Sequence, residues 1–583
     1  MASITDLFKG PSSSSSSASI KRKFNSHDAD RAYKATKYSA SSFPNPKSAS
    51  LEDAPENDNS DTEAGPALPP TEDLPDDEEG RFFGGGVSRD AAEALDYIDT
   101  QDSNDANGIE YGVEKIDASW LKRTAVSFER KIAKNAELRA KHEGEPAKFM
   151  ASEAELDVQV KEWSLLSEHG ELYPLFVESG AAGQLVGLLG HENLDVAIGA
   201  VQILSELLDE DVEVDEEAWE GLVEALLEAD LGELVMSNLG RLNEQEEADR
   251  EGVYHCLAVL GALAGKQEVA ELVGTVQVLE WLCDRIRRAE KSVGQNKQMA
   301  AEVLQVLLQS SSELRQKLAG EVEGVDLFLQ LLALYRKRDP VKDSLEEEWV
   351  ENIFDTLSCV IDEPQGKAAY LEAEGMELTL IMLKEGGFSK SRALRLLDHA
   401  VGGADGTAPV CEKLVEAGGL KTLFSLFAKK PSETTTEHLL GIFAGLLRWL
   451  PGEGAARIRM LNKFTEKNCE KVVKIVELRK GFARRVSAAE EEIKLERRMM
   501  DEEDWPEREA EWLSRRLEGG LFGLQTTDVI IAWLVAEDKA SKEVIIDGLG
   551  SLADVKASLV EQAAGAEDDE AKEMLSTLID FLQ

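Results

Sequence analysis

The stretch that decides the fold runs from Leu172 to Asp211, LYPLFVESGAAGQLVGLLGHENLDVAIGAVQILSELLDED. A short apolar segment ends at Gly180. A second carries Leu185, Val186, Leu188 and Leu189. A polar turn with Asn193 and Asp195 follows, and a third segment carries Val196, Ala197, Ala200, Val201, Leu204 and Leu207. Apolar positions recur at i, i+3, i+4 and i+7, which predicts three short helices, each with one buried stripe. Gly180 falls where a helix end needs a left-handed residue.

The unit recurs with drift. LGELVMSNLGRL (231–242) precedes VYHCLAVLGALAG (253–265), VLEWLCDRI (278–286) precedes MAAEVLQVLLQ (299–309), and LAGEVEGVDLFLQLLALY (318–335) precedes VENIFDTLSCVI (350–361). LEAEGMELTLIMLKE (371–385) then precedes SRALRLLDHAV (391–401), and LVEAGGLKTLFSLF (414–427) precedes HLLGIFAGLLRWL (438–450). Gly183, Gly232, Gly274, Gly324, Gly375 and Gly418 mark the period, about 40–50 residues, that of armadillo or HEAT units. No run alternates like a strand. The expected fold is an all-α armadillo/HEAT-type superhelical solenoid with helical caps and a disordered N-terminal tail.

The boundaries follow composition. Residues 1–50 are basic and Ser-rich, with eight Lys/Arg against three Asp, and residues 51–80 carry twelve acidic residues and no basic one. Such a segment cannot bury enough apolar surface to offset chain entropy, so 1–80 is expected to be a disordered basic-then-acidic tail. A linker (81–118), an N-terminal helical cap (119–170), about six armadillo-like repeats (171–455) and C-terminal helical repeats with a cap (456–583) complete the expected layout. Within the last region, Glu490 to Glu511 is dense in both signs and reads as a solvated helix. Leu513 to Ala536 reads as packed.

The 583 residues are 43% hydrophobic, as in folded proteins. The formal net charge is −49, and about −42 of it lies beyond residue 80. That balance argues against a general nucleic-acid binder, which needs basic surface to displace phosphate counterions, and against docking on anionic membrane. It favours basic partners. No apolar run approaches the ~18 residues of a membrane span. The five cysteines (Cys256, Cys283, Cys359, Cys411, Cys469) are odd in number and far apart, which reads as buried thiols and not as a disulfide framework or zinc site.

Several stretches resemble the beta-catenin-like family of nuclear, spliceosome-associated armadillo proteins, in a fungal version. They are SFERKIAKNAELRAKHEGEPAKFMASEAELD (127–157), LVGLLGHENLDVAI (185–198), FSKSRALRLLDHAVGGADGT (388–407), RMLNKFTEKNCEKV (459–472) and RRLEGGLFGLQ (515–525). The resemblance spans about 120–530 and is weak before 110 and after about 540. It implies a nuclear, non-enzymatic scaffold without a cofactor, associated with the NineTeen complex and supporting pre-mRNA splicing. It further implies binding of localisation-signal-like segments of splicing factors, including that complex's Myb-domain protein, and a homodimer as a further partner state.

Catalytic motifs are absent by spacing. His191-Glu192-Asn193-Leu194-Asp195 lacks a second His at i+4 and reads as a polar turn. His255-Cys256 reads as a core pair. Gly84 to Gly86 and Gly402 to Thr407 lack the Lys-Ser/Thr ending of a phosphate loop and read as a linker and an inter-repeat loop. Lys21, Arg22, Lys23, Arg31, Lys34 and Lys37 form the candidate nuclear localisation signal; the same segment could instead occupy the chain's own acidic groove. The candidate basic-peptide groove comprises Glu206, Asp209, Glu210, Asp211, Glu213 and Asp215, at and beyond the end of a third helix, where carboxylates converge to take Lys or Arg. Glu216, Glu217, Glu220 and Glu224 extend the acidic run. Trp163, Trp219, Trp281, Trp349 and Trp449 each lack Asn at i+4, so the Trp-Asn ladder of import adaptors is missing. Beside the scaffold reading stand a nuclear-import adaptor and an acidic chaperone for basic nuclear proteins.

Overall fold

A computed structural model describes residues 115–583, apart from 404, 502–504, 567, 583 and the side chain of Glu507. The expected tail, most of the linker and the candidate localisation signal lie outside the described residues. Among the described residues there is no strand.

The chain enters through α1 (Ala118–Lys141) and α2 (Met150–Glu162). Asp117 starts α1 by accepting from the backbone N–H groups of Ser119 (2.9 Å) and Trp120 (3.0 Å), satisfying donors that a helix start leaves without partners. Trp163 is fully buried and packs edge-on against Trp120 and Phe128, with Phe176 tilted 4.9 Å from it. Such aromatic contacts add to the area they bury and fasten the entry helices to the first repeat.

Six three-helix repeats follow among the described residues. They are α3 (Tyr173–Glu178), α4 (Ala181–Gly187) and α5 (Leu194–Leu207); α6 (Glu216–Glu228), α7 (Leu231–Arg241) and α8 (Glu247–Leu263); and α9 (Gln267–Val273), α10 (Val276–Arg287) and α11 (Gln295–Ser310). The next are α12 (Ser312–Gly320), α13 (Gly324–Leu332) and α14 (Leu345–Val360); α15 (Pro364–Glu372), α16 (Gly375–Glu385) and α17 (Ser389–Ala400); and α18 (Thr407–Glu416), α19 (Gly419–Ala428) and α20 (Glu433–Trp449). Each third helix packs on the third helix before and after it, so α5, α8, α11, α14, α17 and α20 form one ladder. α2 extends it at one end and α23 (Leu521–Glu537) at the other. Leu204, Leu257, Leu304, Leu357, Leu397 and Leu446 are fully buried along it, each contributing about 1.5–3 kcal/mol of burial.

The corners between first and second helices explain the recurring glycines only in part. Gly180 (φ 75°) and Gly418 (φ 78°) are left-handed, as a helix end requires. Asp230, Glu323 and Glu374 hold the same corner with φ of 63°, 54° and 56°, at a steric cost glycine would not incur. Gly375, just after the corner, is there for space: a Cβ would lie 2.3 Å from the Tyr370 ring.

The C-terminal region departs from the repeat. α21 (Ala455–Arg497) is broken at Glu466–Cys469, where Lys467, Asn468 and Cys469 are all left-handed. The stretch expected as one solvated helix from Glu490 to Glu511 is instead a helical hairpin between the end of α21 and α22 (Trp505–Glu518). Ion pairs cross it: Arg516 meets Glu490 (2.5 Å), Arg497 meets Glu509 (3.0 Å), and Arg515 meets Glu496. The opposite signs are partners across a turn, which composition alone does not distinguish from a solvated face. α23 is buried as expected for 513–536. α24 (Lys539–Leu549), α25 (Ala553–Gly565) and α26 (Asp569–Phe581) close the chain. Arg457, 2% exposed, ties α20 to α23: it pairs with both carboxylate oxygens of Glu537 and donates to the Leu446 and Leu447 carbonyls.

Candidate functional site

Of the six predicted groove residues, one stands within the ladder. Glu206 lies in the last turn of α5 and accepts from Ser164 Oγ (2.6 Å) and Gln202 Nε2 (3.0 Å). Asp209, Glu210 and Asp211 follow immediately and are exposed. Asp209 turns the chain by accepting from the Asp211 N–H (3.0 Å). Glu213 and Asp215 belong to the connection into α6: the Glu213 carbonyl packs against Gly170, and Asp215 is the residue before α6. Glu216 and Glu220, on α6, are both held by Lys266 (3.2 and 2.7 Å). The acidic run therefore divides between ladder and outer helix.

Two carboxylates from distant repeats join Glu210. Glu302 on α11 is largely buried, accepting from Gln298 Nε2 (2.8 Å). Its pKa is raised above the usual carboxylate value, first by burial and then by the charges of Glu348 and Glu210. Glu210, just beyond α5, and Glu348, on α14, thus both act on the charge of Glu302. Glu206, Glu210 and Glu302 have no cationic partner among the described residues. Glu302 and Glu348 were missed in the sequence. The available signal was a lone Glu inside MAAEVLQVLLQ, apolar on both sides.

Further along, the ladder's charges are compensated. Glu351 on α14 accepts from Arg392 (2.6 Å) and Arg395 (3.1 Å) on α17, and Arg395 also meets Asp355. His399 meets Asp362 (3.1 Å), and His438 meets buried Asp398 (2.9 Å). Burial works against the charge on His399, but Asp362 and then Asp398 hold its pKa above the ordinary value. Beyond this, Asp398, Gly441, Gly445, Arg448, Val529 and Met574 line one small crevice, so α26 covers the far end of the ladder. Arg448 reaches Asp568 (3.6 Å) beside α26.

Three array tryptophans already hold cations of this chain. Lys266 lies 4.9 Å over Trp219, Lys297 4.8 Å over buried Trp349, and Arg448 4.4 Å over Trp449. A peptide would have to displace them to use those faces.

The other motifs find structural places. His191 to Asn193 is the turn into α5: Asn193 caps it through the Asp195 N–H (3.0 Å), and His191 bonds Asn135 (3.1 Å). Asn135 in turn donates to Ser152 (3.0 Å), and Asn193 to Glu153 (3.0 Å). Two stretches that carry the resemblance, 127–157 and 185–198, thus meet in one network. Burial pushes the Cys256 thiol up to about 12, the opposite of what a nucleophile needs, and His255 bonds Ser205 (2.9 Å). The loop from Gly402 to Thr407 is inter-repeat, with the nearly inaccessible Lys367 donating to the Asp405 carbonyl (3.4 Å).

With this geometry in place, the relatives are informative. A family model described as "Catenin-beta-like, Arm-motif containing nuclear" matches residues 92–561. The beta-catenin-like protein 1 homolog of Schizosaccharomyces pombe is 34% identical over 79% of this chain and 80% of its own length. The Homo sapiens beta-catenin-like protein 1 is 37% identical over 72% of this chain and 76% of its own. Among solved structures, an engineered protein matches with a TM-score of 0.46 at 14% identity, covering 73% of this chain and 95% of that one. A designed armadillo repeat protein matches with 0.35 at 17% identity, covering 45% and 99%. By the extent of the family match and the identity to its members, the chain belongs to the catenin-beta-like family of nuclear, armadillo-motif proteins.

Proposed function

We propose that the protein is a non-enzymatic nuclear scaffold of the spliceosome, associated with the NineTeen complex. It binds Lys/Arg-rich, localisation-signal-like segments of splicing factors, that complex's Myb-domain protein among them, and so supports pre-mRNA splicing. The observation that carries the reading is the run of carboxylates at Glu206, at the end of α5, Glu210, just beyond it, and Glu302, on which the Glu210 charge acts, none with a cationic partner among the described residues. An extended basic segment brings the missing charge. Single exposed pairs are worth about 0–1 kcal/mol, so several must act together, and rigid stacked helices reduce the ordering cost on the protein side.

The test is recovery of partners from nuclear extract by the full chain, wild type against Glu206→Gln/Glu210→Gln/Glu302→Gln, at two salt concentrations. Splicing factors with basic segments should be recovered by the wild type, less at high salt, and lost from the variant. Recovery mainly of import carriers, or of histones without selectivity, would replace this reading with an import adaptor or an acidic chaperone. Sedimentation of the same samples reports whether a homodimer forms.

A further inference from the structure

Capping elements of a repeat array usually turn a polar face outward. The C-terminal cap does so except along one groove. Trp533 and Ala536 of α23 face Met574, Leu578 and Phe581 of α26 across an open groove. Phe581 is 51% exposed, and Met574, Leu578 and Phe581 follow one another at i, i+4 and i+7 on one helix face.

The rim is acidic. Glu537, Glu570 and Glu573 line it. Arg457 compensates Glu537 and stacks 4.8 Å over Trp533, which neutralises that carboxylate and braces the ring. Glu570 and Glu573 are both exposed; Arg448 acts on Glu570 from one side, and Glu573 has no cationic partner among the described residues. From Glu570 to Phe581 the α26 face runs about 16 Å, close to three helical turns.

We infer that this groove is a docking site, separate from the ladder patch, for a short amphipathic helix of another protein. That helix has apolar anchors at i, i+4 and i+7 and Lys or Arg beside them. The anchors fill the floor between Trp533 and Phe581, and the cations meet Glu570 and Glu573, the recognition mode of an amphipathic helix in a groove. Charge selects this occupant over a second copy of the chain. A two-fold contact would bring the same rim glutamates together, on chains that each carry a formal −49.

The probe is a synthetic 14-residue peptide with Leu at i, i+4 and i+7, Lys and Arg elsewhere and a fluorescein label, titrated by anisotropy against the full chain. Saturable binding is expected. Phe581→Ser and Glu570→Lys/Glu573→Lys should each weaken it at least tenfold, and the lysine variant should prefer a peptide with Glu in place of Lys and Arg. All three side chains are exposed, so circular dichroism should be unchanged. The same substitutions made on a Glu206→Gln/Glu302→Gln background, where the ladder patch is weakened, should lower the remaining saturable binding by the same factor, which keeps this site distinguishable from the ladder patch. The inference is overturned if binding does not saturate, if Phe581→Ser binds equally well, or if only the ladder variant loses binding. A dimer in sedimentation that Phe581→Ser abolishes, without peptide binding, would assign the groove to a second copy and overturn it too.

Discussion

Along one ladder of stacked helices, two stretches treat the same kind of side chain differently. Between α14 and α20 four ladder carboxylates have internal partners: Glu351 and Asp355 with Arg392 and Arg395, Asp362 with His399, Asp398 with His438. Between α5 and α11, Glu206, Glu210 and Glu302 have none among the described residues. The helices stack in the same way in both stretches, so what differs is where the balancing charge comes from. One stretch carries its own cations and is committed to stability. The other does not, and it is there that we propose a partner's cations bind.

The largest expected effect tests the self-compensated side at its far end. Arg457→Met should lower stability by about 3 kcal/mol in urea unfolding, because Glu537 and two buried carbonyls lose their donor. Arg395→Ala should cost about 2–3 kcal/mol by removing a donor shared by Glu351 and Asp355. If the comparison is right, Glu302→Gln has the opposite sign: a gain of up to about 1 kcal/mol in stability as like charges separate. The same variant should weaken basic-peptide binding about tenfold, read by isothermal titration. A loss of stability in Glu302→Gln would erase the distinction between the two stretches.

Acidity sharpens the comparison further. Glu302 and His399 both have raised pKa values in the fold, so both add stability as pH falls, but over different windows. The contribution of His399 is full below about pH 6.5, its ordinary value, and is lost as pH rises through the elevated one. His399→Asn should therefore flatten the alkaline decline in thermal stability. Glu302 adds stability at low pH that is lost as pH rises from its ordinary value through its elevated one, and Glu302→Gln should flatten that decline. Basic-peptide affinity should run the other way, strengthening as Glu302 ionises.

The repeat was legible because helical periodicity depends only on local spacing. Gly180 was legible as a corner because glycine advertises a left-handed backbone. Glu323 and Glu374 occupy equivalent corners and were not, since nothing in glutamate signals that conformation; the packing around them imposes it. The patch was half visible for the same reason. Glu206 and Glu210 sit in a dense acidic run, whereas Glu302 stands alone and gains its neighbours only when repeats nearly 100 residues apart in sequence stack. The smallest prediction concerns one such corner. Glu374→Gly should stabilise the fold by up to about 1 kcal/mol, measured as a rise in melting temperature, by relieving its φ of 56°.

The three left-handed residues inside α21 bear on how the molecule yields under load. A helix transmits tension along its hydrogen-bonded turns, and at Lys467, Asn468 and Cys469 that rod is interrupted. Stretched between its ends in an optical trap, the chain should first give way at this joint. The repeat array and the C-terminal bundle would then part as two steps in extension, the joint acting as a mechanical fuse within what the sequence writes as one long helix.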